Sequence, residues 1–318
     1  MKNLENVKYL LEICEMFYIQ GKSQKEISAI LNISRPQVSR FIAKAKEEKL
    51  LSIKLNYPNI EENEYQNLIS EKFNIPEVYI YDIGQNNSSE AMHQLAEASK
   101  DLFNLLVKNN QTVGIMAGRT VEILGEEIDS SKNRGLTFIP LCGGLSINGG
   151  TWQANNICQQ FAHKTNGKFY LLNAPNYFTQ AATKAALLSE ESINEVMNMG
   201  KNCDVALLGI GSVTTTSTGI LASGLSKEEI EILKSEGAIA NICCSYINKD
   251  GKIIDTSIAN KILGHSISDL KKSKKIAIAM GDEKLEAIKS VLKGEYIDAF
   301  ITSLDTAKKI MNYDSKGE

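Results

Sequence analysis

Four short turns carry residue types that bind anions: Gly118-Arg119-Thr120, Cys142-Gly143-Gly144, Gly209-Ile210-Gly211-Ser212, and Gly281 with Lys284 just after it. Each follows an apolar run that reads as a strand. Glycine lets backbone N–H groups approach an anion, and a helix starting at the turn adds its positive end. Arg119 and Thr120 offer further donors to a phosphate, and Lys284 offers a full charge. One such turn says little, because glycine ends strands in most α/β proteins. Several at one sheet edge point to a phosphorylated small ligand. No catalytic constellation accompanies them: GxSxG, a Walker A loop and a helix-opening GxGxxG are all missing from the sequence. Asp204 and Asp298 begin strands and so face the opposite edge. With Asp250, in the turn NKDGK, they read as structural or solvated.

A second kind of chemistry lies between Ser23 and Lys49. Ser23 is a helix N-cap with Glu26 three residues on, a capping box. Ile27, Ile30 and Leu31 form one apolar face, and Asn32 suits the left-handed turn that ends the helix. Ser34 caps a second helix with Pro36 in its first turn. Val38, Phe41, Ile42 and Ala45 supply its inward stripe. The spacing is that of a helix-turn-helix. Arg35, Gln37, Ser39 and Arg40 face outward, with Lys44 and Lys46 behind them. Arg contacts guanine, Gln contacts adenine, and Lys neutralises phosphates.

Other elements must position these groups. Residues 4–20 form an amphipathic helix that packs on the motif and ends at Gly21. LLSIKL (50–55) reads as a short strand, a small wing, and Tyr57-Pro58-Asn59 as the domain boundary. A helix over 61–73 leads into the strand VYIYDI (78–83), and a long helix follows over 89–108. Apolar runs at 112–117, 136–141, 168–175, 204–211, 274–280 and 298–303 then alternate with helical patterns. Those patterns lie at 119–128, 152–164, 179–199, 226–236, 283–293 and 304–312. The alternation predicts an α/β body with a mostly parallel sheet flanked by helices on both faces. The expected domains are therefore 1–57, a winged helix-turn-helix, and 58–318, the α/β body. Ligands of such sheets collect beyond the carboxyl ends of the strands, where the four turns fall.

Charge supports this division. The net charge of −3 conceals +4 on residues 1–57 and −7 on the remainder. A basic front end on an acidic body suits a DNA-reading head. No run of 18 apolar residues suggests a membrane span, and no signal-peptide pattern opens the chain, so the cytoplasm is the expected location. Six cysteines without a CxxC, and three scattered histidines, give no zinc spacing. Neither a metal nor a cofactor is expected. The cysteines read as free thiols, and Cys243-Cys244 as two small residues in a buried strand.

The head, MFYIQGKSQKEISAILNISRPQVSRFIAKAKEEKLLSIKL, and the body segments VGIMAGRTVEIL, IPLCGGLS, WQANNICQQFAHKTNGKFYLLNAP, DVALLGIGSV, EGAIANICCSYINKDGK and IAMGDEKLEAIKSVLKGEYIDAFITSLDTAKKI occur in an order and spacing that resemble the SorC family of sugar-responsive bacterial transcriptional regulators. The resemblance covers nearly the whole chain. It implies a winged helix-turn-helix on a body resembling sugar-phosphate isomerases and glucosamine-6-phosphate deaminase, a tetramer, operator DNA as partner, and a phosphorylated sugar as effector. To the body, 58–318, the resemblance assigns sugar-phosphate effector binding and oligomerisation. It further implies that Gly118-Arg119-Thr120 cradles phosphate and that Lys284 contacts it. By the same resemblance Asn155 lies on a helix beside the pocket, and Gly143 and Gly144 line it. The chain departs from the family pattern at Ala240-Asn241-Ile242, where Gly-Asp-Ile is usual. It departs also at Ser245, where an arginine is frequent, at Thr302-Ser303-Leu304, where Thr-Asp-Glu is usual, and at Ala117, often tryptophan.

The expectation is a DNA-binding regulator and not an enzyme. Ser34, Arg35, Gln37, Ser39, Arg40 and Lys44 are the expected DNA contacts. Gly118, Arg119, Thr120, Gly143, Gly144, Asn155, Gly211, Gly281 and Lys284 form the expected effector site. The rival is a sugar-phosphate isomerase or deaminase with a fused DNA-binding head, for which the fold alone argues.

Overall fold

The computed structural model describes residues 4–48, 50, 60–84, 89–128, 134–144, 150–215, 217, 220 and 224–312. The chain divides into two compact units, Met1–Pro58 and Asn59–Glu318.

In the first unit α1 (Leu4–Tyr18), α2 (Gln24–Leu31) and α3 (Arg35–Glu47) close on a small core of Ile13, Ile27, Val38 and Ile42, with Phe41 and Leu31 against it. The cap at Ser23 forms as its spacing requires, and Asn32 takes the left-handed conformation (φ 50°, ψ 43°) that turns the chain into α3. Ile30 departs from expectation: it is 53% exposed. A helix of eight residues buries only a narrow seam, and Ile27 and Leu31, four apart, form it. The wing at 50–55 lies outside the described residues except for Leu50, which packs on Leu10, Cys14 and Ala45. The Tyr57-Pro58-Asn59 boundary lies outside them as well.

The second unit begins with α4 (Ile60–Phe73), β1 (Glu77–Tyr81), α5 (Ser89–Leu106), β2 (Thr112–Ile115), α6 (Arg119–Glu127), β3 (Thr137–Pro140), α7 (Ala154–Thr165) and β4 (Lys168–Phe169). It continues with α8 (Ala181–Leu188), α9 (Glu191–Lys201), β5 (Val205–Ser212), α10 (Lys227–Ser235) and the short strands β6 (Ala240–Ile242), β7 (Ser245–Ile247) and β8 (Ile253–Ile254). It closes with β9 (Lys274–Ile278), α11 (Leu285–Lys293), β10 (Ala299–Ser303) and α12 (Leu304–Asn312). The strand order β1-β10-β9-β5-β2-β3-β4 is parallel throughout, with Val113 opposite both Phe138 and Val205.

Parallel strands buried on both faces need two helical layers. Leu95, Phe103, Val121 and Phe161 of α5, α6 and α7 cover one face. Ile69, Ile288 and Ile310 of α4, α11 and α12 cover the other.

The structure differs from the sequence reading in several places. Of the strand expected over 168–175 only Lys168-Phe169 forms, at the edge of the sheet. The helix expected over 179–199 is two helices, α8 and α9, separated at Ser189-Glu190. The Ser189 hydroxyl and the Asn194 amide take up the carbonyls of Ala186 and Leu188 at the break, so ending α8 leaves these groups satisfied. Residues 240–254 add an antiparallel extension in which the end of β5 pairs with β6, β6 with β7, and β7 with β8. Cys243 and Cys244 are therefore not in a strand. They form the two-residue turn of the β6–β7 hairpin, with Cys243 at φ 55°. Strands of two or three residues carry too little pattern to read, and this turn holds no glycine, proline or asparagine to announce it. No described helix is long and apolar enough to cross a membrane.

Candidate functional site

Three of the four glycine turns follow β2, β3 and β9, whereas Gly209-Ile210-Gly211-Ser212 is not a turn but the end of β5, held extended by pairing of Ile210, Gly211 and Ser212 with β6. These strands are neighbours in the order β9-β5-β2-β3. The chain proceeds outward through β2, β3 and β4, then returns to lay β5 on the far side of β2 and proceeds the other way. The order thus reverses between β2 and β5, and the turns line the carboxyl edge on both sides of this switch point. Ligands of open α/β sheets bind in that crevice. The Gly118 turn and the turn bearing Lys284 are two strand positions apart, about 10 Å at the usual inter-strand spacing.

Gly118 stands at φ 151°, ψ 149°, a region that only glycine occupies readily, and α6 starts from it. Its own N–H is spent on the Trp152 carbonyl (3.0 Å). That bond brings the start of α7 alongside the start of α6. Similar commitments hold elsewhere. Gly143 N–H donates to Leu263, Gly144 N–H to Ala174, and Gly281 N–H to the Thr306 hydroxyl. These four glycine N–H groups are thus not the anion donors that the sequence suggested. The groups that remain are the first-turn N–H groups of α6, at Arg119 and Thr120, which have no carbonyl within the helix to bond. Thr120 is buried and Arg119 exposed. Gly143 has a packing role: a Cβ there would stand 2.5 Å from the Pro175 carbonyl oxygen.

Lys284 follows β9 in a 3-10 turn whose Glu283 carbonyl accepts the Ser212 hydroxyl at 2.8 Å. This bond ties the turn to the end of β5, beside Gly211. Burial pushes the Lys284 ammonium below its ordinary pKa, and neighbouring Glu283 opposes the shift in part. No ion pair offsets that burial among the described residues. A partly desolvated cation in a crevice is suited to an incoming dianion.

Asn155, expected beside the pocket, is committed to the backbone. Its Nδ2 donates to the Leu172 carbonyl (3.1 Å) and its Oδ1 accepts the Leu172 N–H (3.0 Å). It clamps the segment after β4 to α7, and one N–H and one oxygen lone pair of the amide are left over. Asn155→Leu is expected to lower stability by about 1–3 kcal/mol, since two backbone groups lose their partners. A thermal melt that does not move would refute this.

The departures from the family pattern are absorbed internally. Asn241, opposite Gly211 in the β5–β6 pairing, donates to the Ser245 carbonyl. The Ser245 hydroxyl accepts the Ile267 N–H, and the Ser303 hydroxyl accepts the Thr306 N–H at the start of α12. Asp204 and Asp298 sit at the opposite edge, where they accept the N–H groups of Thr112 and Lys275. Asp250 lies in a turn closed by Asn248. Among the described residues no group of three or more His, Cys, Asp or Glu side chains is placed to hold a metal ion.

In the helix-turn-helix unit, Val38, Ile42 and Ala45 of α3 face inward. Ser34, Arg35, Gln37, Ser39, Arg40 and Lys44 are all exposed. One continuous polar and basic face results, without an acidic residue in the first turn of α3. Lys46 leaves this face, its ammonium 5.6 Å from the centre of the Tyr18 ring. The Gln37 side-chain oxygen accepts both the N–H and the hydroxyl of Ser34, each at 2.8 Å. Sequence reasoning placed Gln37 on the outward face but missed this bond, although Ser34 and Gln37 have the same spacing as Ser23 and Glu26.

Comparison with known proteins agrees with this architecture. The family described as "Putative sugar-binding domain" matches residues 57–312, and a helix-turn-helix domain matches residues 16–54. The chain is 26% identical over 312 residues to the deoxyribonucleoside regulator of Bacillus subtilis, covering 97% of this chain and 98% of that protein. It is 23% identical over 314 residues to the sorbitol operon regulator of Klebsiella pneumoniae, covering 98% and 100%. The crystal structure of the full-length Klebsiella pneumoniae sorbitol operon regulator SorC superposes with a TM-score of 0.86 at 23% identity, over 96% of this chain and 98% of that one. A helix-turn-helix head, a doubly covered parallel sheet with its glycine turns gathered at the switch point, and a family match over most of the body place this chain in the SorC family of sugar-responsive transcriptional regulators.

Proposed function

We propose that this protein is a cytoplasmic regulator that binds operator DNA through α3 and is switched by a phosphorylated sugar bound at the β2/β5 switch point. The observation that carries the effector class is the pairing across that crevice. On one side are the open first turn of α6 and the buried Thr120; on the other is the half-buried Lys284 ammonium, without an ion pair among the described residues. Helix N-termini and lysine are the standard partners of phosphate. Arg119, Gly143, Gly144, Gly211 and Gly281 shape the same edge. Asn155 supports it from behind.

Arg35, Ser39, Arg40 and Lys44 are the proposed DNA contacts, with Ser34 and Gln37 at the start of the helix. A body of residues 58–318 that joins four copies into a tetramer, as the family resemblance suggests, would bring several weakly basic heads to one operator. The effector controls DNA affinity only if it binds two body conformations unequally. The named relatives are regulators, which favours this reading over that of a sugar-phosphate isomerase.

Thermal melts of the full-length chain with sugar phosphates and with their unphosphorylated parents test the effector class. A ligand at 100 times its Kd stabilises the folded state by about 2.7 kcal/mol. The expected outcome is a higher melting temperature with one phosphorylated sugar and none with its parent. Equal shifts from both would overturn the phosphate assignment.

A further inference from the structure

The two helices of the motif open with the same device. Ser23 donates its N–H and its hydroxyl to one oxygen of Glu26, each at 2.8 Å. Ser34 donates its N–H and its hydroxyl to the side-chain oxygen of Gln37, each at 2.8 Å. A carboxylate closes such a box as well as an amide does, and its charge also favours the positive end of the helix. On α2 these hydrogen bonds hold the Glu26 carboxyl below the usual carboxylate range. Yet α3 carries the neutral amide. What Gln has and Glu lacks is an NH2 group.

That group has a fixed direction. Only oxygen accepts a peptide N–H, so the Ser34 contact settles which way the Gln37 amide faces. Its oxygen is turned back to Ser34 and occupied twice. Its Nε2 keeps both hydrogens, with no partner among the described residues, on an exposed position next to Arg35 and Arg40. Reading adenine with Gln takes a donor and an acceptor together. Here the acceptor is already committed. A donor pair alone suits a phosphate oxygen, and phosphate contacts from amide side chains set register without reporting base identity. A Glu at this place would set a negative charge against the DNA backbone.

We propose that Gln37 is a positioning residue whose capping bond aims its NH2 group at a DNA phosphate, leaving base reading on α3 to Arg35 and Arg40. The inference rests on the reading of α3 as the DNA-contacting helix. It removes adenine from the repertoire that the sequence suggested for Gln37.

The test uses the full-length chain and an operator duplex selected on it from a random-sequence library. Gln37→Glu keeps the capping geometry and should melt with the wild type, yet bind the operator about 10-fold or more weakly. The same factor is expected on every operator with a single base-pair change. Gln37→Ala, which loses the cap as well, should melt lower. When single phosphates are replaced by methylphosphonate, one position should weaken the wild type and leave Gln37→Ala unaffected. The proposal is overturned if Gln37→Glu binds as the wild type does, if its loss is confined to one base pair, or if no phosphate shows that coupling. Arg40→Ala separates the two levels. If it too binds normally, α3 is not the reader and the Gln37 contact falls with it. If Arg40→Ala binds weakly and Gln37→Glu normally, only the Gln37 contact falls.

Discussion

Lys284→Met is expected to abolish the response to a phosphorylated sugar, leave operator binding by the unliganded protein intact, and raise its melting temperature. The first effect follows from losing the full charge that the proposed site sets across the crevice from α6. The last follows from burial. The ammonium is held below its ordinary pKa by desolvation, and no ion pair compensates among the described residues. A group whose folded-state pKa lies below its unfolded value costs stability while it is charged. That cost is relieved as pH rises from the folded-state pKa toward the unfolded value. Methionine removes the charge and keeps an apolar stem. A gain of about 1 kcal/mol corresponds to roughly 2–4 °C in a body of this size.

A phosphate dianion favours the charged lysine. In the range where phosphate is already a dianion, effector affinity in the wild type should fall as pH rises through the folded-state pKa of Lys284. In Lys284→Met it should be weak and flat. Melts and effector titrations on both proteins decide this, and a normal effector response in the variant would remove Lys284 from the site.

Arg40→Ala is expected to weaken operator binding by at least ~1–3 kcal/mol, the worth of a good side-chain contact to a base or phosphate. Arg40 is exposed on α3, opposite the buried seam of Val38, Ile42 and Ala45. Its removal leaves the packing untouched, and surface changes of this kind stay within about 0.5 kcal/mol in stability. Titration of a labelled operator together with a thermal melt therefore isolates the contact. Affinity equal to that of the wild type would remove Arg40 from the interface. A lost melting transition would instead place it in the fold.

Sequence alone determined the features that depend on local spacing. Ser23 with Glu26, and Ile27 with Leu31, define α2 because a capping box and an i, i+4 seam are short-range geometry. Asn32 marks the turn because it tolerates the left-handed region. The five central parallel strands, β10, β9, β5, β2 and β3, were legible because a strand buried on both faces must be a nearly continuous apolar run. At the edges, by contrast, β1 alternates and only Lys168-Phe169 of the run at 168–175 is strand. The glycine turns after β2, β3 and β9 were legible because each ends such a run, whereas Gly209–Ser212 continues as strand because it pairs with β6.

Tertiary structure decided which strands are neighbours, and so which turns share a crevice. That follows from the reversal of order between β2 and β5, a long-range pairing that no local pattern encodes. Structure also decided which polar groups remain free. The glycine N–H groups are consumed by Trp152, Leu263, Ala174 and Thr306, and one donor and one acceptor site of the Asn155 amide by Leu172. Gln37 turns its oxygen toward Ser34. A residue type tells what bonds a side chain is able to make, but only the folded chain determines which of them are already made. The available donors are those its own backbone has not satisfied first.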